Sequence, residues 1–526
     1  LANRNIFSTI RNVRLFPWHF DLFEIHPSGI VSLNLLMKNR LFPSRLASAA
    51  ALLAAGVALG ACAPNLGSMP AMHGLSDYFT RQSFTAPAID WPHDQWWQAY
   101  NDPQLNRLMQ TALAASPDMA LATARLQAAQ AQAQQAGAAR FPSLSLNGET
   151  ALARQSYNNG VPAAFVPHGW NDTGQVTANL SYEIDLWGKT RATLAAATSA
   201  AQAAQADATN ARLILTTSLA SAYAQFAQQA AQYQQAVSAS SVRASTANLL
   251  GRRYRNGLEN IGSFKQAQAL QASAASEVAQ LQQALTLSRH SLAALAGQGP
   301  DYGLALTTPT AILAGTYGAP ANLEANLLGR RPDIIASRLT AESAASRIKA
   351  AHADYYPNLN LNAFIGRQAF GVNLLDNPGS TFGSVGPAIS LPLFTGGQTE
   401  GAYREARANY DASVATYNKA VIAAMQQVAD ALTSEQSLAT QLTLAAQEVS
   451  ASTQAYTVMN NRYRGGLATY LDVLTAEDHL INSRRNATTL QAQGLTLNIA
   501  LIKALGGGYG DSSPTLSISN TTLSKE

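Results

Sequence analysis

Cysteine is almost absent: the chain holds one, Cys62. A single thiol excludes an intramolecular disulfide framework and every multi-cysteine zinc or iron–sulfur site. Charge is sparse too, with Asp, Glu, Lys and Arg at 13 % of 526 residues against the usual ~25 %. Mean hydropathy is nevertheless only −0.05. Gln, Asn, Ser and Thr must therefore supply most of the polar surface, which argues against a typical cytosolic enzyme. The pI near 9.0 does not indicate nucleic-acid binding, because no stretch is dense in Lys and Arg. Signatures of catalysis are missing as well. There is no His-Glu-x-x-His, no Gly-x-Ser-x-Gly and no phosphate-cradling Gly-x-x-x-x-Gly-Lys-Ser/Thr. His290 and His352 lack a ligand at helical spacing. His479 follows Glu477 and Asp478, but consecutive helical residues point in different directions. The expectation is a protein that is no enzyme and carries no cofactor.

No apolar run is long enough to span a bilayer as a helix. Leu46 to Leu59 reaches 14 residues and follows Met37, Lys38, Arg40 and Arg45. Charge, a short apolar run and then Leu59-Gly60-Ala61-Cys62 have the layout of a signal peptide. The final four residues resemble a bacterial lipobox, in which the cysteine is acylated and becomes the first mature residue. Residues 1–36 read as an extension upstream of the true start. The net +4 then lies wholly ahead of Cys62, where six basic and two acidic residues sit. The mature part keeps 29 of each sign (35 less 6, 31 less 2).

The remainder is one pattern written twice. Pro117-Asp118 recurs as Pro332-Asp333, and Phe141-Pro142 as Tyr356-Pro357, both at an offset of 215. Leu186-Trp187 recurs as Leu393-Phe394 at 207, and Arg253 to Leu258 as Arg462 to Leu467 at 209. The offset drops by 8 between Pro142 and Leu186, which places a longer connection in the first copy within 156–172. Each copy begins with a helical stretch, such as 103–138, that ends before a proline. Two strand-like segments follow. Val176, Ala178, Leu180, Tyr182, Ile184 and Leu186 alternate with polar residues over 11 positions. That length suits a tilted membrane-spanning strand better than a soluble one. Two strands per copy give four, too few to close a barrel. A sheet in lipid tolerates no open edge, so several chains must share it.

Glycine and proline are wholly missing from 189–250 and from 402–464. Such stretches predict helices about 93 Å long at ~1.5 Å per residue. Leu215, Leu219, Ala222, Phe226, Ala230, Tyr233 and Val237 form one seam; Tyr410, Val414, Tyr417, Val421, Met425, Val428 and Leu432 form the other. Both step 4, 3, 4, 4, 3, 4, a mix of seven- and eleven-residue repeats that weakens supercoiling. Periodicity leaves a hollow helical cylinder and a simple coiled-coil hairpin equally open.

These features together resemble a known family. The lipobox, the Trp96-Trp97-Gln98-Ala99-Tyr100-Asn101-Asp102-Pro103 entrance, the Asp185-Leu186-Trp187-Gly188-Lys189 strand end and the paired Arg-Tyr-Arg-x-Gly-Leu turns are similar to TolC-like outer-membrane factors, in particular NodT/OprM-type efflux lipoproteins. The resemblance covers residues 90–508. It implies a mixed α/β membrane protein, mainly α. Its long helical hairpins would form a trimeric periplasmic α-barrel continuous with a transmembrane β-barrel of twelve strands, four per protomer. It also implies a homotrimer, a periplasmic membrane-fusion adaptor, an inner-membrane pump of the resistance–nodulation–division type, outer-membrane lipid around the strands, and no nucleic acid.

Residue roles follow where the motifs match. Cys62 would carry the lipid. Arg253, Tyr254, Arg255, Gly257 and Leu258, with Arg462, Tyr463, Arg464, Gly466 and Leu467, would form the helix-turn tips that meet the adaptor. Leu471 and Asp472 would narrow the tunnel, with Asp472 forming a three-carboxylate ring able to hold a cation. Some relatives have a second acid at the position of Thr475. Some lock the closed gate with an Asp at the position of Ser263, bonded to the tyrosine matching Tyr463. With Ser263 that lock would be a neutral bond at most, about half as strong.

The expected organisation is extension 1–36, signal peptide 37–61, lipidated linker 62–100, first repeat 101–315, second repeat 316–508 and tail 509–526. Strands are expected near 142–155, 174–187, 357–369 and 383–394; hairpins span 189–297 (tip 252–262) and 398–506 (tip 461–468). The expected function is the outer-membrane exit channel of a tripartite efflux system. The alternatives are the exit channel of a type I protein-secretion system and a lipid-anchored scaffold without a pore.

Overall fold

The computed structural model describes residues 63–80, 82–158, 160–309 and 318–510. The signal-like segment, Cys62 and most of the tail lie outside the described residues. All described elements belong to the compact unit Gly56–Glu526.

Twelve elements carry the argument: α1 (Pro103–Ala115), α2 (Pro117–Ala138), β1 (Ser143–Ala153), β2 (Asn171–Glu183), α3 (Lys189–Arg255), α4 (Ile261–Leu295), α5 (Leu323–Arg330), α6 (Pro332–Ala353), β3 (Asn358–Phe370), β4 (Thr381–Ser390), α7 (Gln398–Arg464) and α8 (Tyr470–Ala504). The long helices α3 and α7 each have 67 residues, and their returning limbs α4 and α8 each have 35. At ~1.5 Å per residue the long pair runs about 100 Å. The β1–β2 connection, 154–170, is seven residues longer than the β3–β4 connection, 371–380.

The first helical stretch is broken rather than continuous over 103–138. Ser116 takes an extended conformation (φ −66°, ψ 126°) between α1 and α2. The ring of Pro117 disfavours a helical residue before it, and proline then opens α2 as its first residue. Asp102 caps α1 by accepting the N–H groups of Gln104 and Leu105 at 2.8 and 3.0 Å.

The four long strands form one antiparallel sheet in the order β1-β2-β3-β4. Leu144, Leu180, Ala363 and Val385 make one cross-strand row. The neighbouring row on the opposite face is Ser145, Asn179, Phe364 and Ser384. Leu144, Leu146, Val385 and Ile389 on the apolar face are 66–76 % exposed. Among the described residues β1 and β4 each pair on one side only. The alternation that runs to Leu186 outlasts the ladder, which stops at Glu183. Asp185 is the reason: its carboxylate accepts the N–H groups of Thr190 and Arg191 at 3.1 and 3.0 Å and draws the chain into α3.

Two apolar clusters hold the hairpins together. Leu105, Leu108 and Met109 of α1 pack with Leu219, Tyr223 and Phe226 of α3 and Ile499 of α8. The second cluster joins Leu327 of α5 and Ile334 of α6 to Val421, Met425 and Val428 of α7. Every residue of the α7 seam is buried, whereas the α3 seam opens at Val237. Truncating one fully buried leucine, such as Leu219, would cost about 2–5 kcal/mol. The buried Arg331 guanidinium ties α6 to its neighbours. It grips both oxygens of Asp333 (3.0 and 2.6 Å), Gln427 Oε1 (2.8 Å) and the Ala504 carbonyl (3.1 Å). The linker strap crosses α7, where Asn418 Oδ1 accepts the His73 N–H at 2.9 Å and Arg407 Nη1 donates to the Gly67 carbonyl at 3.1 Å.

Glu435 on α7 is a buried carboxyl whose Oε1 has no hydrogen-bond partner among the described residues. Burial pushes its pKa up to about 7, against a smaller opposing bond from the Gly318 backbone. A folded pKa above the unfolded value means that stability is complete below the unfolded value of 4.5 and lost as pH rises through about 7. Glu435→Gln is therefore expected to raise the thermal midpoint at pH 8, by a free energy of up to about 3 kcal/mol, and to have little effect at pH 4. Equal shifts at both pH values in a denaturation series would contradict this.

Candidate functional site

The two interhelix turns have the same geometry. Leu258 N–H donates to the Arg253 carbonyl and Leu467 N–H to the Arg462 carbonyl, both at 2.8 Å. Gly257 and Gly466 sit at φ +71° and +75° between them. A Cβ at either glycine would meet nothing within 4 Å, so the left-handed backbone, not crowding, requires glycine. The turns carry exposed Leu258 and Leu467, and Tyr254, Arg255, Arg462 and Arg464 are exposed as well.

The hairpins are fastened to each other just above the turns. Tyr463 is buried and donates its hydroxyl to Glu259 Oε2 at 3.1 Å. Arg253 places its guanidinium 4.9 Å from the Tyr463 ring centre. Burial, then the bond to Glu259, pushes the Tyr463 pKa up to about 12. Ser263 is not part of this fastening. Its Oγ accepts from Asn260 Nδ2 at 3.1 Å and its N–H donates to Asn260 Oδ1 at 2.9 Å, which caps α4. The partner of Tyr463 is an acid after all, but it stands four residues earlier, in the turn itself. The bond is charge-assisted, where a serine partner would have made a neutral one.

Asp472 opens α8. Its Oδ2 accepts both the N–H and the hydroxyl of Thr469 (2.8 and 2.7 Å), and Thr469 Oγ1 in turn accepts the Asp472 N–H at 3.4 Å. This reciprocal capping box satisfies two helix-end donors. The hydroxyl and backbone bonds of Thr469 hold the Asp472 carboxyl below the usual range. Asp472 and Leu471 both stay exposed, so the carboxylate keeps its charge while capping the helix. Thr475 donates its hydroxyl to the Leu471 carbonyl at 2.9 Å. No cluster of three metal-ligating side chains exists among the described residues.

One group escaped the reading of the sequence. Arg243 of α3 is buried and lies between two consecutive acids of α8. Its Nη1 is 3.1 Å from Glu477 Oε1, and its Nη2 contacts Asp478. Neighbouring residues point apart along their own helix, yet a long guanidinium from the facing helix reaches both. The available signal was Arg243 itself, the only charged residue between Arg212 and Arg252.

The family model for outer membrane efflux proteins matches residues 108–298 and 323–507. The chain belongs to that family. The two matched segments coincide with the two halves of the internal duplication. A fusaric acid resistance protein from Burkholderia cepacia is 34 % identical over 319 residues, 59 % of this chain and 58 % of that protein. A multidrug resistance outer membrane protein from Shigella flexneri is 28 % identical over 426 residues, 80 % of this chain and 87 % of the relative. The crystal structure of the outer membrane protein VceC from Vibrio cholerae is 44 % identical with a TM-score of 0.75, covering 80 % of this chain and all of that one. The outer-membrane channel OprN is 25 % identical with a TM-score of 0.76. As an outer membrane efflux protein the chain works in the outer membrane, with a periplasmic extension, and its family is one of channels rather than enzymes.

The capping box makes a local prediction. Thr469→Ala should destabilise the start of α8 by about 1 kcal/mol. Amide hydrogen exchange should speed up at residues 472 and 473 while the Asn260-capped turn is unchanged. Equal exchange in both proteins would remove the cap from the account.

Proposed function

We propose that three copies of this efflux channel assemble, each giving β1 to β4 to a twelve-stranded outer-membrane barrel and its two hairpins to a periplasmic helical tunnel. The observation that carries this reading is the four-stranded sheet with an exposed apolar face and two edges that are unpaired among the described residues. In lipid such edges need strand partners, and a second and third copy supply them. Acylation of Cys62 would anchor each copy to the membrane.

The turns at Arg253–Leu258 and Arg462–Leu467 are the end proposed to meet the periplasmic adaptor, behind which a resistance–nodulation–division pump supplies the energy. The duct itself is passive. Names of relatives, which speak of fusaric acid and multidrug resistance, favour small organic toxicants as cargo.

Leu471 and Asp472 are proposed to narrow the tunnel at its periplasmic end. Threefold symmetry would turn one exposed Asp472 into three carboxylates around an axis, a ring that repels anions and can hold a cation. The Tyr463–Glu259 bond would hold this gate closed by fixing α7 to the turn of the other hairpin.

Planar-bilayer recording tests the proposal. Asp472→Ala should increase conductance and abolish cation preference, because the ring loses its charge and bulk. Glu259→Gln should increase the open fraction without altering ion preference. Unchanged conductance and selectivity in Asp472→Ala would remove the gate assignment, and failure of the wild-type protein to form pores would remove the channel.

A further inference from the structure

Between the two hairpins lies a cavity of about 410 Å³, lined by α3, α4, α7 and α8 of a single chain. Its volume falls within the ~300–1,000 Å³ typical of small-molecule sites. Val242, Leu281, Tyr456, Leu480 and Ile481 supply carbon-rich walls, and Glu477 is the buried charge among them. Glu477 is 2 % exposed, and neither carboxylate oxygen has an aligned hydrogen bond among the described residues. Arg243 is its counterion at 3.1 Å, but that one guanidinium is shared with Asp478. Two carboxylates therefore share one cation, and Glu477, in the cavity lining, keeps buried oxygens without an aligned hydrogen bond. An unsatisfied buried carboxylate oxygen is costly.

We propose that this cavity is a binding site for a hydrophobic organic cation, whose ammonium or amino N–H groups bond Glu477 while its apolar body lies against Tyr456, Leu480 and Ile481. The chemistry is selective. A bare divalent ion would want several oxygen ligands, and Glu477 offers one carboxylate. The other charges in the lining do not favour an anion: Arg485 is paired with Glu277, and Arg484 is exposed to solvent. Tyr456 adds an aromatic wall suited to a cation. Burial raises the pKa of Glu477, more than Arg243 lowers it. This is the expected behaviour of a carboxylate short of positive charge. The site goes beyond the exit-channel reading, and its test asks nothing of the pore.

The test is fluorescence titration of the purified full-length protein with proflavine, a flat cationic amine, and with anthracene carboxylate as the anionic counterpart. Saturable proflavine binding is expected, with little or none for the anion. Glu477→Gln should weaken proflavine by about tenfold or more, the loss of a charged hydrogen bond. Ala239→Trp, which fills the cavity from the α3 wall, should abolish binding. Absence of saturable proflavine binding would overturn the proposal, as would equal binding of the anion. Unchanged affinity in either folded variant would overturn it too. If Glu477→Gln does not fold, the Ala239→Trp and anion arms decide alone.

Discussion

Backbone hydrogen bonding in lipid is the constraint from which the rest follows. A peptide group that enters hydrocarbon without a partner costs several kcal/mol. The sheet satisfies its interior strands through continuous antiparallel ladders and, among the described residues, leaves the outer sides of β1 and β4 open. One chain cannot remove those edges, because four strands are too few to curl into a barrel around a lumen. Assembly is thus built into the proposed function at the level of the backbone, before any side chain is considered. The helices answer to the same demand outside the membrane, where water is available. Ala, Gln and Ser can line long walls there, and few charges are needed.

Duplication accounts for how a short pattern makes so large an object. Each copy provides two strands, a 67-residue helix and a 35-residue return. Copies that are alike in frame differ where charge is placed. The first turn is closed by Asn260 and carries Glu259; the second is closed by Thr469 and carries Asp472. Among the contacts that cross from one hairpin to the other, Tyr463 to Glu259, Arg243 to Glu477 and Asp478, and Arg485 to Glu277 have no counterpart related by the repeat among the described residues. Symmetry gives the wall, and these unsymmetrical contacts are what a moving gate would have to break.

Much of this could be read from spacing alone. Period-two alternation marked β2 and the absence of glycine and proline marked α3 and α7, because those signals are local. Where a side chain intervened, the pattern misled. The alternation continued through Ile184 and Leu186, yet Asp185 ended the strand by capping the next helix. Pro117 divided a stretch that looked uniform. The site was less legible than the fold. Gly257 and Gly466 announced the turns, since only a left-handed residue fits there. The resemblance puts Ser263 opposite Tyr463, as a neutral partner at most; the group that bonds Tyr463 is the acid Glu259, 204 residues away in sequence and 3.1 Å away in space. No periodicity encodes that contact, nor the grip of Arg243 on two adjacent carboxylates.

The central claim is that the open edges of β1 and β4 meet between copies and close after three. A single natural cysteine makes disulfide mapping readable. With Leu146→Cys fixed in β1 and single cysteines stepped along β4 from Thr381 to Ser390, oxidation in native membranes should yield at least one pair that gives a covalent ladder ending at trimer. Chains bearing only one of the two cysteines should stay uncross-linked. A full scan that leaves only monomers, or a ladder that continues past three, would contradict the closed threefold sheet.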